Sequence, residues 1–354
     1  MKKRILTFLM AALVLTASGC SSSQESTTEE STSASTSQQE QTEETSQEAV
    51  EGSLTVYTSQ PEEDIQALVE GFNEIYPDVE VSIFRSGTEE VISKVLAEKQ
   101  VGAMQADVLL VSDAVTFEGL KDQDILMSYE SPELEGISDE YYDDENTYTG
   151  TKIITTGIMV NTDVVTDEVT GYDCLISEDA KDNAIMPSPL YSGAAAYNLS
   201  VLTKTDGFGW EYYEGLKANG IKVDQGNGKV QQAVMSGEKG YGLIVDYMAL
   251  RAKADGAPVD FVYPEEGSLL VTEPVGIVNG TKNEQQAKAF VDYILSDEGQ
   301  EKTAEIGYTP IKSGVAAPEG FKSVDEITNL TYDMKELVES KEADKETFAS
   351  MFGA

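Results

Sequence analysis

From Ser53 onward, apolar positions recur in two periods that take turns along the chain. Leu54-Thr55-Val56-Tyr57 alternates as a strand does, and Ile65, Leu68, Val69, Phe72, Ile75 and Tyr76 then recur at helical spacing. Ser59-Gln60-Pro61-Glu62 has the form of a capping box with proline in the first turn, and Pro77 ends the helix. Val79–Phe84 predicts a second strand. Ser86-Gly87-Thr88-Glu89 opens a second helix whose Val91, Ile92, Val95 and Leu96 share a face. Asp107–Val111 is a short continuous apolar run, as a buried parallel strand requires. The order βαβαβ predicts a doubly wound unit with a crevice at the strand C-termini.

A second unit follows. Ala184–Met186, Ile221–Val223, Tyr241–Val245 and Val259–Tyr263 read as strands. Helices are expected from Tyr191, continuing over Trp210–Leu216, and over Asn227–Met235. Lys152–Val160 and Leu269–Val278 flank this unit and look like paired crossover strands. Glu284–Leu295 and Glu298–Ile306 predict helices that return to the first unit, and the C-terminal stretch reads as mostly helical. The boundaries expected are 53–157 and 273–354 for lobe 1 and 158–272 for lobe 2.

The first 52 residues have a different pattern. Lys2, Lys3 and Arg4 precede an apolar run over residues 5–15, and Ala17-Ser18-Gly19-Cys20 follows. This resembles a bacterial lipoprotein signal over residues 1–20, with Cys20 the lipidated residue, although alanine stands where leucine is commoner; an ordinary secretory signal is the alternative. Residues 21–52 are almost wholly Ser, Thr, Gln and Glu and cannot bury a core, so a solvated tether is expected. Together they place a folded domain at the outer face of a bacterial, Gram-positive cell membrane.

The net charge is −40, from 64 acidic and 24 basic residues, and there is no histidine. Taking away eight tether glutamates and three leader cations leaves −35 on the folded part. A nucleic-acid backbone would be repelled. His-based acid–base catalysis and His-ligated metal sites are excluded. Cys174, the cysteine left after Cys20, is simplest as a small buried residue.

The segments LTVYTSQ, FRSGTEEVISKVLAEK, QADVLLVSD, TGTKIITTGIMVNTD, MPSPLYSGAAA, VQQAVMSGEKGYGLIVDY and EPVGIVNGTKNEQQAKAFVDYILSDEGQ cover most of residues 53–315. In them the chain resembles the extracellular solute-binding proteins of ABC importers. The nearest branch holds ferric-ion-, sugar-phosphate- and aminoethylphosphonate-binding proteins. The resemblance implies an α/β, type II-like periplasmic-binding-protein fold of two lobes, each a doubly wound sheet, joined by two crossover strands. It implies no enzyme activity and no cofactor. The implied partners are a small anionic or zwitterionic solute, a membrane permease and the membrane through the lipid anchor.

The ferric pattern is incomplete here: Pro61 stands where a histidine would, Asp113 keeps an acid, and Met248 replaces the second of two tyrosines beside Tyr247. The anion-binding Ser-Gly-Ala of those relatives is matched by Ser192-Gly193-Ala194, and Asn227 falls at their asparagine. A helix start with a serine hydroxyl favours an anion, and glycine permits close approach; simple capping by Ser192 is the plainer alternative. Arg85, at a strand end, offers a fork suited to phosphate or phosphonate, or else a surface salt bridge. Ser59, Ser86 and Thr88 add hydroxyls, while Asp113, Asp246 and Tyr247 would read the rest of the solute. Arg251 lies inside a helix and reads as structural. A phosphonate or phosphate ester, such as 2-aminoethylphosphonate or a sugar phosphate, fits this set. A ferric ion, a polyamine or thiamine-like cation, an extracellular hydrolase and an adhesin stay open.

Overall fold

The computed structural model describes residues 50–353. The expected signal, Cys20 and the tether up to residue 49 lie outside the described residues.

The first unit runs β1 (Gly52–Thr58), α1 (Glu62–Ile75), β2 (Val79–Arg85), α2 (Thr88–Val101) and β3 (Val108–Leu110). β1 is central and parallel to both neighbours. Side chains alternate across it. Leu54 and Val56 pack with Ile65 and Phe72 on one face, while Tyr57 packs with Val91, Val95 and Phe117 on the other. α2 stops at Gly102, whose left-handed φ of 67° turns its N–H back onto the carbonyls of Glu98 and Lys99.

Two short elements gave no periodic signal: α3 (Ala114–Lys121) and β4 (Leu126–Met127). β5 (Thr149–Asn161) then crosses into the second unit, buried at every position. That unit comprises β6 (Ala184–Pro187), α4 (Gly193–Leu202), α5 (Gly209–Ala218), β7 (Lys222–Asp224), α6 (Asn227–Met235), β8 (Tyr241–Val245), α7 (Asp246–Ala254) and β9 (Val259–Val262). The helical stretch after Tyr191 is interrupted, because the chain turns at Gly207 (φ 89°) before α5 begins.

β10 (Leu269–Val278) returns the chain to the first unit, followed by α8 (Glu284–Leu295), α9 (Asp297–Glu305), β11 (Thr309–Pro310) and α10 (Met334–Phe352). The strand order β2-β1-β3-β10-β5-β8-β6-β7 makes one sheet through both units, with β4 on β10 and with β9 and β11 on β5. β5 and β10 are the crossover strands. They pair antiparallel from Ile153↔Thr272 to Thr156↔Leu269, and the register then shifts between Thr272 and Pro274. Such a bulge re-aims one side chain, and the residue it re-aims is Glu273.

α10 differs from its expected place with lobe 1. Its Leu337 and Phe348 are buried in the hydrophobic cluster of the second unit. Phe348 meets the Tyr213 ring edge-on at 6.2 Å, and Asp344 pairs with Lys204 of α4 at 2.6 Å. The exposed face of α5 and α4 needed an apolar cover, and this helix supplies it. From there Lys341 and Lys345 reach Glu89 of α2 at 3.1 and 2.6 Å.

Candidate functional site

The C-terminal ends of β1–β3 and those of β6 and β8 face one cavity of about 580 Å³. β1, β2, β6 and β8, with β7 beside them, each lead into a helix, so the N-termini of α1, α2, α4, α7 and α6 all begin at its wall. Backbone N–H groups in a helix's first turn have no partner within the helix. The N-caps of α2 and α6 are Gly87 and Gly226, and no side chain caps either helix.

These glycines have a steric reason. The Tyr191 ring lies between them: a Cβ on Gly87 would come within 2.7 Å of it, and one on Gly226 within 3.1 Å. The carbonyl of Tyr191 accepts from the Glu89 N–H at 3.3 Å, a backbone bond from one lobe to the other. A Cβ on Gly193 would stand 2.5 Å from the Ser112 carbonyl oxygen and 2.9 Å from the Thr88 side chain. Gly193, expected to admit a ligand, lines the cavity and also lets the opposite lobe approach.

Ser192 does cap α4, accepting from the Ala195 N–H at 3.3 Å, and it also accepts from Asn227 Nδ2 at 3.3 Å. With its oxygen so used, its own O–H is left to donate. Ser192, Gly193, Ala194, Asn227, Thr88 and Arg85 all line the cavity. Arg85 donates Nε to the Gln60 carbonyl at 2.8 Å, which leaves the rest of its fork at the exposed mouth.

The floor is built around Glu273. Its carboxylate lies 2.5 Å from Lys152 Nζ, accepts from Gln60 Nε2 at 2.8 Å, and accepts from Ser59 Oγ at 3.3 Å. Beside it Tyr247 and Tyr308 pack with ring centroids 4.4 Å apart. Arg251 lies over both rings, 4.7 and 4.6 Å from their centroids, and its NH1 is 3.0 Å from both oxygens of Asp64 on α1. Burial pushes both phenol pKa values upward, and the nearby Asp64 and Glu273 charges add to this, so the rings carry neutral O–H groups.

Three expected site residues stand outside the lining. Ser86 spends its hydroxyl on Glu90 of α2. Asp113 is 1% exposed and caps α3, accepting from the Thr116 N–H at 2.8 Å. Asp246 is buried against the crossover strand, where one oxygen accepts from the N–H groups of Thr155 (3.2 Å) and Tyr247 (2.8 Å). Burial pushes Asp246 up to about 7 against those hydrogen bonds. Each of these acids gives one oxygen to local N–H groups behind the lining, and the second oxygen of Asp113 is buried there without a partner. Ser59, Arg85, Thr88, Ser192, Gly193, Ala194, Asn227 and Tyr247 are brought together. Among the described residues no group of three or more acids or cysteines is placed to hold a metal ion.

Residues 67–329 match the family model for bacterial extracellular solute-binding protein. The chain belongs to this family. An uncharacterised Haemophilus influenzae protein is 28% identical over 265 residues, which is 71% of this chain and 75% of its own. The spermidine/putrescine-binding periplasmic protein of Escherichia coli is 32% identical over 75 residues, 21% of this chain and 22% of its own. The periplasmic binding protein AfuA of Actinobacillus pleuropneumoniae, solved with fructose-6-phosphate, superposes with a TM-score of 0.78 at 22% identity, over 85% of this chain and 98% of that one. Iron-bound HitA of Pseudomonas aeruginosa gives 0.74 at 20% identity, over 84% and 99%. The fold is therefore that of the two-lobed periplasmic binding proteins. Solute-binding proteins of this kind capture a small solute and deliver it to an ABC permease. No helix of the described residues is long and apolar enough to cross a membrane.

Sequence reading missed several lining groups of this solute-binding protein: Gln60, Lys229, Glu273 and Tyr308. Gln60 and Lys229 sit one and two residues from expected positions; Gln60 was read only as part of the loop and helix start at Ser59, and Lys229 belongs to no pattern. Glu273 and Tyr308 arrive from the far end of the chain, and Glu273 depends on a bulge that no periodicity marks. The lining charges are Arg85 and Lys229 against Glu62 and Glu273, with Glu273 answered by Lys152. In a folded part carrying −35, the lining itself is charge-balanced.

Proposed function

We propose that this importer component captures a small phosphonate or phosphate-ester solute between its lobes and performs no reaction on it. The observation that carries the reading is the convergence of helix N-termini, two of them glycine-capped, with Arg85 and Lys229 at the same cavity. Backbone N–H groups and helix dipoles aimed at one point favour an anion, and the Arg85 fork adds charge-assisted hydrogen bonds. The phosphate ester held by the AfuA structure supports this choice. A ferric ion is disfavoured because it would need phenolates, and burial makes the Tyr247 and Tyr308 phenols harder to ionise. The lobes, expected at 53–157 with 273–354 and at 158–272, would open about β5 and β10, with α10 going with lobe 2 and reaching α2 of lobe 1 through Lys341 and Lys345. Lipidated Cys20 would hold the domain at the membrane.

A thermal-shift and calorimetric screen over phosphonates, sugar phosphates, polyamines, thiamine derivatives and Fe(III) tests the reading. Phosphorylated solutes should raise the melting temperature. Arg85→Ala should weaken them by about 1–3 kcal/mol, the range for a lost hydrogen bond to a charged group. A shift with Fe(III) alone would sink it.

A further inference from the structure

We infer that the end of the solute away from its phosphorus group is uncharged and hydroxylated, so that phosphorylated polyols are taken and aminoalkyl phosphonates, polyamines and other ammonium-bearing solutes are not. This rests on the anion reading above and goes further by asking what the rest of the cavity can hold.

The argument is a charge inventory. Two carboxylates line the cavity, Glu62 and Glu273. Glu62 is exposed at the start of α1 and accepts from Gln66. Glu273 is 3% exposed, and Lys152, 2% exposed, lies against it. The pair is neutral as a unit, and an ammonium brought to Glu273 would also meet Lys152. Asp113 and Asp246 lie behind the lining; each gives one oxygen to backbone N–H groups, and the other Asp113 oxygen is buried without a partner and outside the cavity wall. No buried carboxylate in the wall is therefore free to answer a second positive charge, and a desolvated ammonium without such a partner is costly.

What the floor offers instead is neutral hydrogen bonding. Tyr247 supplies a phenol, while Ser59 and Tyr308, whose protons go to Glu273 and Asp64, offer their oxygens as acceptors. Gln60 is fixed in direction: a carboxylate only accepts, so Nε2 must face Glu273, and Oε1 must face away from it. That oxygen has no partner, and the residue is 1% exposed. Ser112 Oγ, also in a lining residue, is likewise unpartnered. Unsatisfied buried polar atoms are uncommon in native proteins and need an explanation. A ligand hydroxyl, which donates and accepts, answers both kinds of atom. The volume agrees, because a cavity of about 580 Å³ lies in the range of drug-sized ligands and a two-carbon phosphonate would leave most of it to water.

The test is isothermal calorimetry on the purified full chain with two matched pairs and orthophosphate. The pairs are glucose-6-phosphate against glucosamine-6-phosphate, and 2-hydroxyethylphosphonate against 2-aminoethylphosphonate. In whichever pair binds, the hydroxyl member should bind at least about tenfold tighter, the size of one lost hydrogen bond. An amino member that binds equally or more tightly overturns this inference and leaves the anion reading standing. Failure of all five compounds to bind removes the anion reading and this inference with it.

Discussion

On the α7 side of the cavity the lobes are joined by one arginine; on the α10 side they are joined by two lysines. Arg251 is planar, lies over two rings that line the cavity, and directs one nitrogen at both oxygens of Asp64. Tyr308 also donates to Asp64 at 2.5 Å, so this contact is continuous with the wall that would touch a solute. Lys341 and Lys345 are flexible point charges on a helix rooted in the second lobe, and both converge on Glu89. A guanidinium can stack and hydrogen-bond at once, whereas an ammonium holds a partner mainly by charge. The first junction should therefore sense the solute and resist salt. The second should behave as a screened tether that biases the lobes without reading the ligand.

The largest test of that difference is Arg251→Ala. It leaves Asp64, 7% exposed, without its cation and uncovers two ring faces. Breaking one partner from a largely buried pair costs about 3 kcal/mol. Urea unfolding should show that loss, and solute affinity should fall with it. Arg251→Lys should recover part of the stability through the charge and little of the affinity, because the stack is gone. Equal recovery of both would place the two junctions in one class.

Legibility of the fold and site followed how local each signal was. β1, α1, β2 and α2 were readable because each carries its own period, and Pro77 marks the end of α1. The capping box expected at Ser59 was misleading: Pro61 is the N-cap, and the Ser59 hydroxyl turns to Glu273, 214 positions away. The wall that carries Ser192, Gly193 and Asn227 was legible because these residues lie at helix starts that the sequence marks. The floor was not. Lys152, Glu273 and Tyr308 meet only because two crossover strands pair and one of them bulges. Arg251 read as structural, and it is placed between lobes because α1 lies across from α7, which nothing within either helix encodes.

The next test concerns the buried acid on the α7 side. Burial raises Asp246 from 3.8 to about 7, against the pull of the Thr155 and Tyr247 N–H groups. Between these values the folded state holds a proton that the unfolded chain has lost. Its contribution is therefore complete below about pH 4 and is lost as the pH rises towards 7. Asp246→Asn keeps an acceptor for both N–H groups and removes the charge. Its asparagine still bears part of the burial cost, so the gain should be about 2 kcal/mol at pH 8, roughly half the full shift at 1.36 kcal/mol per pKa unit. A melting-temperature profile from pH 4 to 8 should flatten in the variant. An unchanged slope would remove Asp246 as its source.

Glu89→Gln tests the other side, with the smallest effect and the opposite pH sense. Burial by itself would raise the Glu89 carboxyl, but Lys341 and Lys345 outweigh it and hold the group below the usual glutamate range. A depressed acid contributes stability above its unfolded pKa, and that contribution is lost as the pH falls through the folded value. The variant should thus cost about 1 kcal/mol at pH 7, less than a fully buried pair because the lysine stems are partly exposed and screened. The loss should shrink at high salt and disappear in acid. Solute affinity should change little, since Glu89 is outside the cavity lining and the helix start beside it is still held by the Glu89 N–H on the Tyr191 carbonyl. If Glu89→Gln weakened the solute as strongly as Arg251→Ala does, α10 would be part of the ligand response, and the contrast between a stacked arginine that reads the cavity and a lysine tether that does not would be wrong.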